Sequence, residues 1–380
     1  MKQIITTLLT IVLLASCSAG KQVSVTVSNS LGIDRANELV EVSKNTIWSS
    51  LNLKASDRIV VLDDAASQVI YQIAVDLNNP DDSLLIFPAT VKANGTPVYT
   101  IKKGKPENSQ SKVAGRLVPE LKDDLNWEND RVAFRMYGPA LQATGEISSG
   151  IDLWAKRTDK LVADKWYADE LAGRKTYHTD GGEGLDFYKV GPTLGAGAAA
   201  PYLDNQLWFS RNFNEYAILD KGPLRITFRL DYERFPVNNA DSVSSVRIIS
   251  LDAGSQLNKI TQIHDFKAGS MPVAAGIVMR NSPEEQVSMD DNKSWAAHAE
   301  PADSLNGILY QAIAVTAPFT SIEQTNNHLL GIQDVKSTVP FIYYAGGGWS
   351  KYGFETFGDW IKYVEGFSEK LQSPLTITIN

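Results

Sequence analysis

Short apolar runs separated by polar turns repeat along most of this chain. Val, Ile, Tyr, Phe and Thr alternate with polar residues within the runs, and Asn, Asp, Gly and Pro stand between them. Such alternation is typical of antiparallel β-structure with one buried face. It predicts strands at residues 23–27, 39–42, 58–62, 68–75, 84–87, 131–137, 224–232, 246–251, 259–265, 274–279, 309–315, 341–344 and 375–379. The expected fold class is therefore all-β, with few short helices.

One segment near the C-terminus has the periodicity of a helix. Residues 356–371 place Trp360, Val364 and Phe367 at spacings of three and four, and Thr356 is available as N-cap. An apolar stripe of this kind predicts an amphipathic helix that packs on a sheet.

The first residues have the pattern of a secretion signal. Lys2 precedes an apolar run at residues 4–15, which is too short for a membrane-spanning helix. Residues 14–17 (LASC) resemble a bacterial lipobox, so we expect a signal peptide at 1–16, a lipidated Cys17 and a tether at 17–22. The alternative is a buried free thiol. No Asp follows Cys17, and by resemblance to Gram-negative sorting patterns this indicates the outer membrane, facing the periplasm.

Length and charge narrow the class of protein. After removal of 16 residues from 380, the remaining 364 exceed the ~250–300 residues that one core supports. We expect one very large sandwich or two closely packed β domains in residues 23–380, with residues 104–129 as the candidate boundary. Because 36 Lys and Arg face 44 Asp and Glu, the net charge is −8, and nucleic acid is not an expected partner.

Four stretches carry a resemblance to a known family. They are residues 127–141 (WENDRVAFRMYGPAL), 150–154 (GIDLW), 178–195 (HTDGGEGLDFYKVGPTLG) and 347–351 (GGWSK). Together they look like a signature of a Bacteroidota lipoprotein family catalogued as a domain of unknown function. The resemblance implies a galactose-mutarotase-like β supersandwich and a setting beside enzymes that degrade pectin and other uronate-rich polysaccharides. It implies no proven reaction.

A Gly-rich segment holds the densest group of ionisable side chains. His178, Asp180, Glu183, Asp186 and Lys189 lie within residues 178–189, among glycines that let the backbone approach a ligand. A His beside a carboxylate is the usual proton-transfer pair, so His178 and Glu183 are the candidate base and acid. Asp180, Asp186 and Lys189 are candidate substrate ligands. The alternative is a charged turn held by internal hydrogen bonds.

Arg135 and Tyr137 share one face of their predicted strand. A strand-borne Arg suits a uronate carboxylate, and Tyr137 is a candidate acid in an elimination or epimerisation. Equally, Arg135 can be a structural residue paired with Asp152 or Asp130. Arg211, a further candidate ligand, has the same two interpretations.

Trp349 lies between the glycines at 346–348 and Ser350. It is either an exposed stacking platform for a sugar ring or a core residue next to the C-terminal helix. The Gly/Ala-rich residues 191–201 indicate a close backbone approach, since they lack the features of a phosphate-binding loop.

The sequence predicts no cofactor. His264, His298 and His328 lack the spacing of a zinc site, and no G-x-S-x-G motif occurs. Residues 124–130 offer oxygen ligands at alternate positions as calcium loops do, but Asn129 stands where an EF-hand has Gly. Calcium binding at residues 124–130 is the one alternative to a chain without a cofactor.

Two functions remain. The first is an enzyme for uronate-rich, pectin-type oligosaccharides that uses lyase, hydrolase or epimerase chemistry. The second is a non-catalytic carbohydrate-binding lipoprotein. The concentration of ionisable groups in one loop favours the enzyme.

Overall fold

The computed structural model describes residues 20–238 and 241–380. The predicted signal peptide and the first half of the tether, residues 17–19 with Cys17, lie outside the described residues, so their interpretation stays a prediction.

The N-terminal part of the chain forms a small unit with its own core. Its elements are β1 (Gln22–Ser28), β2 (Arg35–Ser43), α1 (Lys44–Leu51), β3 (Ile59–Leu62), β4 (Gln68–Val69), β5 (Gln72–Val75), β6 (Ser83–Val91) and β7 (Val98–Lys103). Strands β1, β7, β3 and β4 pair in that order, and β2, β6 and β5 form a second sheet. Val25, Phe87 and Ile101 are fully buried between the two sheets.

A five-stranded sheet, here called the site sheet, follows. Its segment contains β8 (Val113–Val118), a 3-10 turn (Pro119–Leu121), β9 (Asp124–Asn129), β10 (Ala133–Met136), α2 (Pro139–Gln142), β11 (Asp152–Lys156), α3 (Ala163–Leu171) and β12 (Gly184–Leu185). The strand order is β12, β11, β10, β9, β8.

The remaining strands build the main sandwich. They are β13 (Ala196–Leu203), β14 (Gln206–Leu207), β15 (Glu215–Lys221), β16 (Arg225–Val237), β17 (Asp241–Asp252), β18 (Leu257–Asp265), β19 (Met271–Val278), β20 (Gln286–Met289), β21 (Trp295–Ala299), β22 (Leu309–Ala314), β23 (Ser321–Thr325), β24 (His328–Val335) and β25 (Phe341–Trp349). One sheet has the order β15, β16, β17, β18, β25, β22, β21, β20, and the other β14, β13, β19, β24, β23. Both share one core with the inner face of the site sheet, where Trp127 packs on Phe228.

The chain ends with α4 (Phe357–Gln372) and β26 (Thr376–Ile379). Thr356 and Asp359 form a capping box at the start of α4, and Trp360 and Val364 are buried against the eight-stranded sheet. Strand β26 returns to the N-terminal unit and pairs with β1. The structure thus confirms the expected C-terminal helix and its packing.

The all-β prediction is confirmed, since every ladder between the named strands of the described residues is antiparallel. Several buried strands, among them β9, β11, β13, β21 and β24, were not predicted because polar, small or charged residues interrupt their apolar pattern. In β13 the small residues permit a close approach, as a Cβ at Gly197 would lie 2.2 Å from the Cβ of Ala345 on β25.

Candidate functional site

The outer face of the site sheet is polar and yet buried. Apolar and polar residues alternate along β9, β10 and β11, so the inner face packs into the main core. The outer face carries Asp124, Asn126, Glu128, Arg135, Asp152, Trp154 and Lys156, all buried. Trp166 and Tyr167 of α3 cover this face, together with Tyr177 from the segment that follows the helix.

A buried ion pair places the covering helix. Lys156 Nζ lies 2.6 Å from Glu128 Oε2, and both side chains are almost fully buried. The Glu128 carboxylate also accepts the backbone N–H groups of Val162 and Ala163 at 3.0 and 2.8 Å. It therefore satisfies N–H groups that the first turn of α3 leaves without a helical partner.

Arg135 lies at the centre of the covered face with three carboxyl groups around it, here called the Arg135 cluster. It is the cross-strand neighbour of Asp152, and their Nη2 and Oδ2 atoms are 2.7 Å apart. The Asp186 carboxylate is 2.9 Å from Nη2, and Asp124 Oδ2 is 3.9 Å from Nη1. Of the two earlier interpretations of Arg135, the structure shows the pairing with Asp152.

Aromatic rings enclose the guanidinium of Arg135. Its carbon lies 4.9, 5.3 and 5.8 Å from the ring centres of Tyr137, Trp154 and Tyr177. The guanidinium also donates to the hydroxyl oxygens of Tyr177 and Tyr137 at 3.2 and 3.3 Å. Both hydroxyl groups consequently keep their own protons for another acceptor.

Burial changes the protonation of the cluster. It raises the pKa of Asp124 to about 7, and Arg135 opposes this shift only in part. Burial, and next the nearby Asp152 carboxylate, raise the pKa of Asp186 well above its ordinary value. Since one cation faces three carboxyl groups, protonation of Asp124 and Asp186 leaves a neutral cluster. Of the three carboxyl groups, Asp124 therefore gains and loses its proton near neutral pH.

His178 lies at the solvent side of the cluster, with its side chain 56% exposed. Its Nδ1 is 3.0 Å from the carbonyl oxygen of Asp186 and 3.6 Å from that residue's carboxylate. A carbonyl only accepts, so Nδ1 carries the proton of the neutral ring and Nε2 has the free lone pair. The ring centre lies 4.4 Å from that of Tyr177.

The predicted partner of His178, Glu183, is held elsewhere. Its carboxylate is 2.6 Å from Lys165 Nζ, and this ion pair lowers the pKa of Glu183. Asp180 pairs with Arg157 at 2.8 Å and accepts the backbone N–H of Gly182. The structure therefore gives His178 a different carboxylate, Asp186, and keeps Asp180 and Glu183 in surface ion pairs.

The other candidate ligands lie outside the Arg135 cluster. Lys189 and Arg211 are exposed, and neither forms an ion pair with a described residue. Trp349 is only 2% exposed, and its Nε1 donates to the carbonyl oxygen of Asn306 at 2.6 Å. The interpretation of Trp349 as an open stacking platform is wrong, because the indole packs within the main core.

A shallow depression, open to solvent, lies between α3 and the segment that follows it. Its lining includes Lys165, Trp166, Lys175, Tyr177 and Glu183. Lys175 has no ion-pair partner among the described residues, and its Nζ occupies the space that a side chain at residue 181 would fill. Gly181 is needed for this placement, since a Cβ there would lie 1.2 Å from Nζ.

Sequence reasoning missed Asp124, Tyr177 and Lys175 as site residues and weighed Asp152 only as a partner of Arg135. Polar–apolar alternation in residues 124–129 was the available signal, but it was compared with a calcium loop. That segment forms β9, where Glu128 is bound by Lys156. Within residues 20–238 and 241–380, no three His, Cys, Asp or Glu side chains are grouped to hold a metal ion.

Comparison with known sequences identifies a family. The sequence profile of the family described as Domain of unknown function (DUF4861) matches residues 27–377. A protein described as Uncharacterized protein P7, from Formosa agariphila, is 30% identical over 377 residues, which cover 93% of each chain.

Two solved structures from Enterococcus faecalis have the same fold. An α-mannosidase from strain V583 has a TM-score of 0.52 at 9% identity, and covers 95% of this chain and 46% of its own. A glycosyl hydrolase family 38 protein has a TM-score of 0.53 at 10% identity, and the match covers 95% of this chain and 47% of that protein. This chain spans about half the length of these structures. The expected supersandwich of galactose-mutarotase type is confirmed.

Proposed function

Because the chain belongs to the family described as Domain of unknown function (DUF4861), whose description names no reaction, we propose its function from the site itself. We propose that it acts on uronate-containing, pectin-type oligosaccharides by proton transfer at Tyr137 and His178, which both contact residues of the Arg135 cluster. One observation carries this proposal: the exposed imidazole of His178 is oriented by the carbonyl oxygen of Asp186, 3.0 Å from Nδ1, beside the buried carboxyl group of the same residue. The two solved structures of this fold are described as an α-mannosidase and a glycosyl hydrolase family 38 protein, which supports a carbohydrate substrate. The uronate class rests on the family resemblance of the sequence.

The two reacting groups have complementary roles. The Nε2 lone pair of His178 accepts the proton next to the uronate carboxylate, while the Asp186 carbonyl holds the ring in that tautomer. Burial raises the pKa of Tyr137, so this hydroxyl stays protonated and donates to the leaving glycosidic oxygen. Breaking the C–H and C–O bonds in this way forms a carbon–carbon double bond. Elimination is therefore the reaction that this pair supports best.

Lys175 is the proposed ligand of the substrate carboxylate. Arg135, expected in that role from the sequence, is already neutralised by Asp152 at 2.7 Å. A further anion beside it would meet three carboxyl groups, whereas the ammonium of Lys175 lies in the depression next to Tyr177 without an ion pair. A free cation at the surface attracts an anionic sugar more strongly than a paired one.

We further propose that Cys17 anchors the protein by lipid to the outer membrane, on its periplasmic side. The lipobox-like residues 14–17 support this location. None of the helices in the described part of the chain is both long and apolar enough to cross a membrane.

Incubation with pectic oligouronates tests the reaction. We expect the ultraviolet absorbance of unsaturated uronate ends to rise, and His178→Ala and Tyr137→Phe each to lower the rate by about 10²-fold. Asp164→Asn is the matched control, since this exposed carboxylate on helix α3 is paired with Arg116 outside the depression and its replacement should leave the rate nearly unchanged. Lys175→Met should raise KM for acidic substrates more than for methyl-esterified ones.

The second candidate function is carbohydrate binding without turnover. The shallowness of the depression and the ion pairs of Asp180 and Glu183 favour it. Saturable binding of oligouronates with no new unsaturated, reducing-end or epimerised product would select this function and reject the enzyme.

A further inference from the structure

The main sandwich contains a buried arginine without a carboxylate partner. Arg247 on β17 is 2% exposed and points into the shared core. Its N–H groups have only neutral acceptors: Gln262 Oε1 at 2.9 Å, the Ser149 and Ala199 carbonyls at 3.2 and 3.3 Å, and the Met136 sulfur at 3.7 Å. Among residues 20–238 and 241–380, no carboxylate lies within ion-pair distance of it.

Other well-buried arginines of the chain are neutralised. Arg35 pairs with Glu38, Arg135 with Asp152, and Arg225 with both Glu41 and Asp252. This is the usual arrangement, because an isolated charge in a protein interior loses its hydration without compensation. Arg247 differs because no carboxylate of the described residues pairs with it.

Buried polar atoms that lack a partner share the sheet face of this guanidinium. Gln262 Nε2 and His264 Nδ1 have no hydrogen-bond partner in the described structure, and Tyr232 Oη, which lies beside the guanidinium, has no acceptor for its own proton. Strand register brings them together, since Gln262 lies opposite Arg247, and Tyr232 and His264 lie on either side of Ser245. The Tyr232 ring centre is 5.0 Å from the guanidinium carbon. An amide nitrogen and a phenol can each donate, and His264 is neutral because burial lowers its pKa to about 3.

We propose that Arg247, Gln262, Tyr232 and His264 bind a small monovalent anion of chloride size inside the sandwich. A water molecule would satisfy the donors but would leave the guanidinium charge uncompensated. An anion does both. Tyr232 belongs to the main hydrophobic core, and such apolar surroundings favour a compact ion over a carboxylate-bearing sugar. The site lies apart from the Arg135 cluster and does not depend on the proposed reaction.

Anion-dependent stability tests the proposal. The full-length protein, dialysed into sodium gluconate, is melted with chloride added at constant ionic strength. We expect Tm to rise with chloride and to saturate, by about 3–4 °C at a concentration near 100 times Kd. Arg247→Met should abolish the rise. Arg229→Met is the matched control, because this neighbouring arginine on β16 is exposed and paired with Asp231, and its rise should equal that of the wild type.

Bromide in crystals of the unmutated protein provides a readout that needs no variant. An anomalous peak within about 3.5 Å of the Arg247 guanidinium is expected. Equal melting temperatures of the wild type in chloride and gluconate, or bromide crystals without a peak at Arg247, would overturn the proposal. A chloride-dependent rise in Tm that persists in Arg247→Met would mean that the anion binds elsewhere, and this result would also reject the proposal.

Discussion

The buried carboxyl of Asp124 should make the protein less stable as the pH rises through neutrality. Its pKa is raised from an ordinary value of 3.8 to about 7, so the folded state binds this proton more tightly than the unfolded state. The stabilising contribution is complete below the unfolded pKa and is lost as the pH rises through the folded one. At ~1.4 kcal/mol for each pKa unit, the whole effect is about 4 kcal/mol, of which roughly 2–3 kcal/mol falls between pH 5 and pH 8.

Replacement of Asp124 by Asn removes this titration and keeps the shape of the neutral acid. Urea unfolding followed by tryptophan fluorescence at several pH values should show a shallower loss of stability for Asp124→Asn than for the wild type. The pKa of Asp186 is raised as well, so the stability of Asp124→Asn should still depend to some extent on pH. Asp164→Asn, at a side chain 74% exposed, should reproduce the wild-type dependence. Parallel curves for the wild type and Asp124→Asn would refute the reasoning.

Two further predictions concern the covering helix and the anchor. Glu128→Leu should lower the free energy of unfolding by about 3–5 kcal/mol because it leaves Lys156 charged and buried, and Glu128→Leu with Lys156→Met should recover much of that loss in the same urea assay. Equal instability of the single and double variants would contradict this. Cys17→Ala should abolish labelling by a fatty-acid analogue, and persistent labelling would reject lipidation at this residue.

The site residues show where sequence reasoning stops. Alternation placed Arg135 and Tyr137 on one face of a strand, and the structure has Arg135 Nη2 3.3 Å from the Tyr137 hydroxyl. The sequence pattern did not identify the carboxylate next to His178, because Glu183 and Asp186 are both close in sequence and equally suited to a proton-transfer pair with it. The choice follows from Lys165 on α3, which binds Glu183. Helix α3 itself was not predicted.

Local pattern alone determined the strands whose apolar and polar residues alternate, such as β16 and β17, and the capped helix α4. A period of two or of 3.6 residues and an N-cap depend only on residues that are neighbours in the chain. Tertiary packing alone determined which charges became neutral, which were paired and which stayed exposed. Arg135 pairs with Asp152 on the neighbouring strand and with Asp186, which follows helix α3 in the chain. Trp349 is buried within the main core. Burial and electrostatic pairing depend on register and on the covering elements, and these bring together residues that lie far apart in the chain.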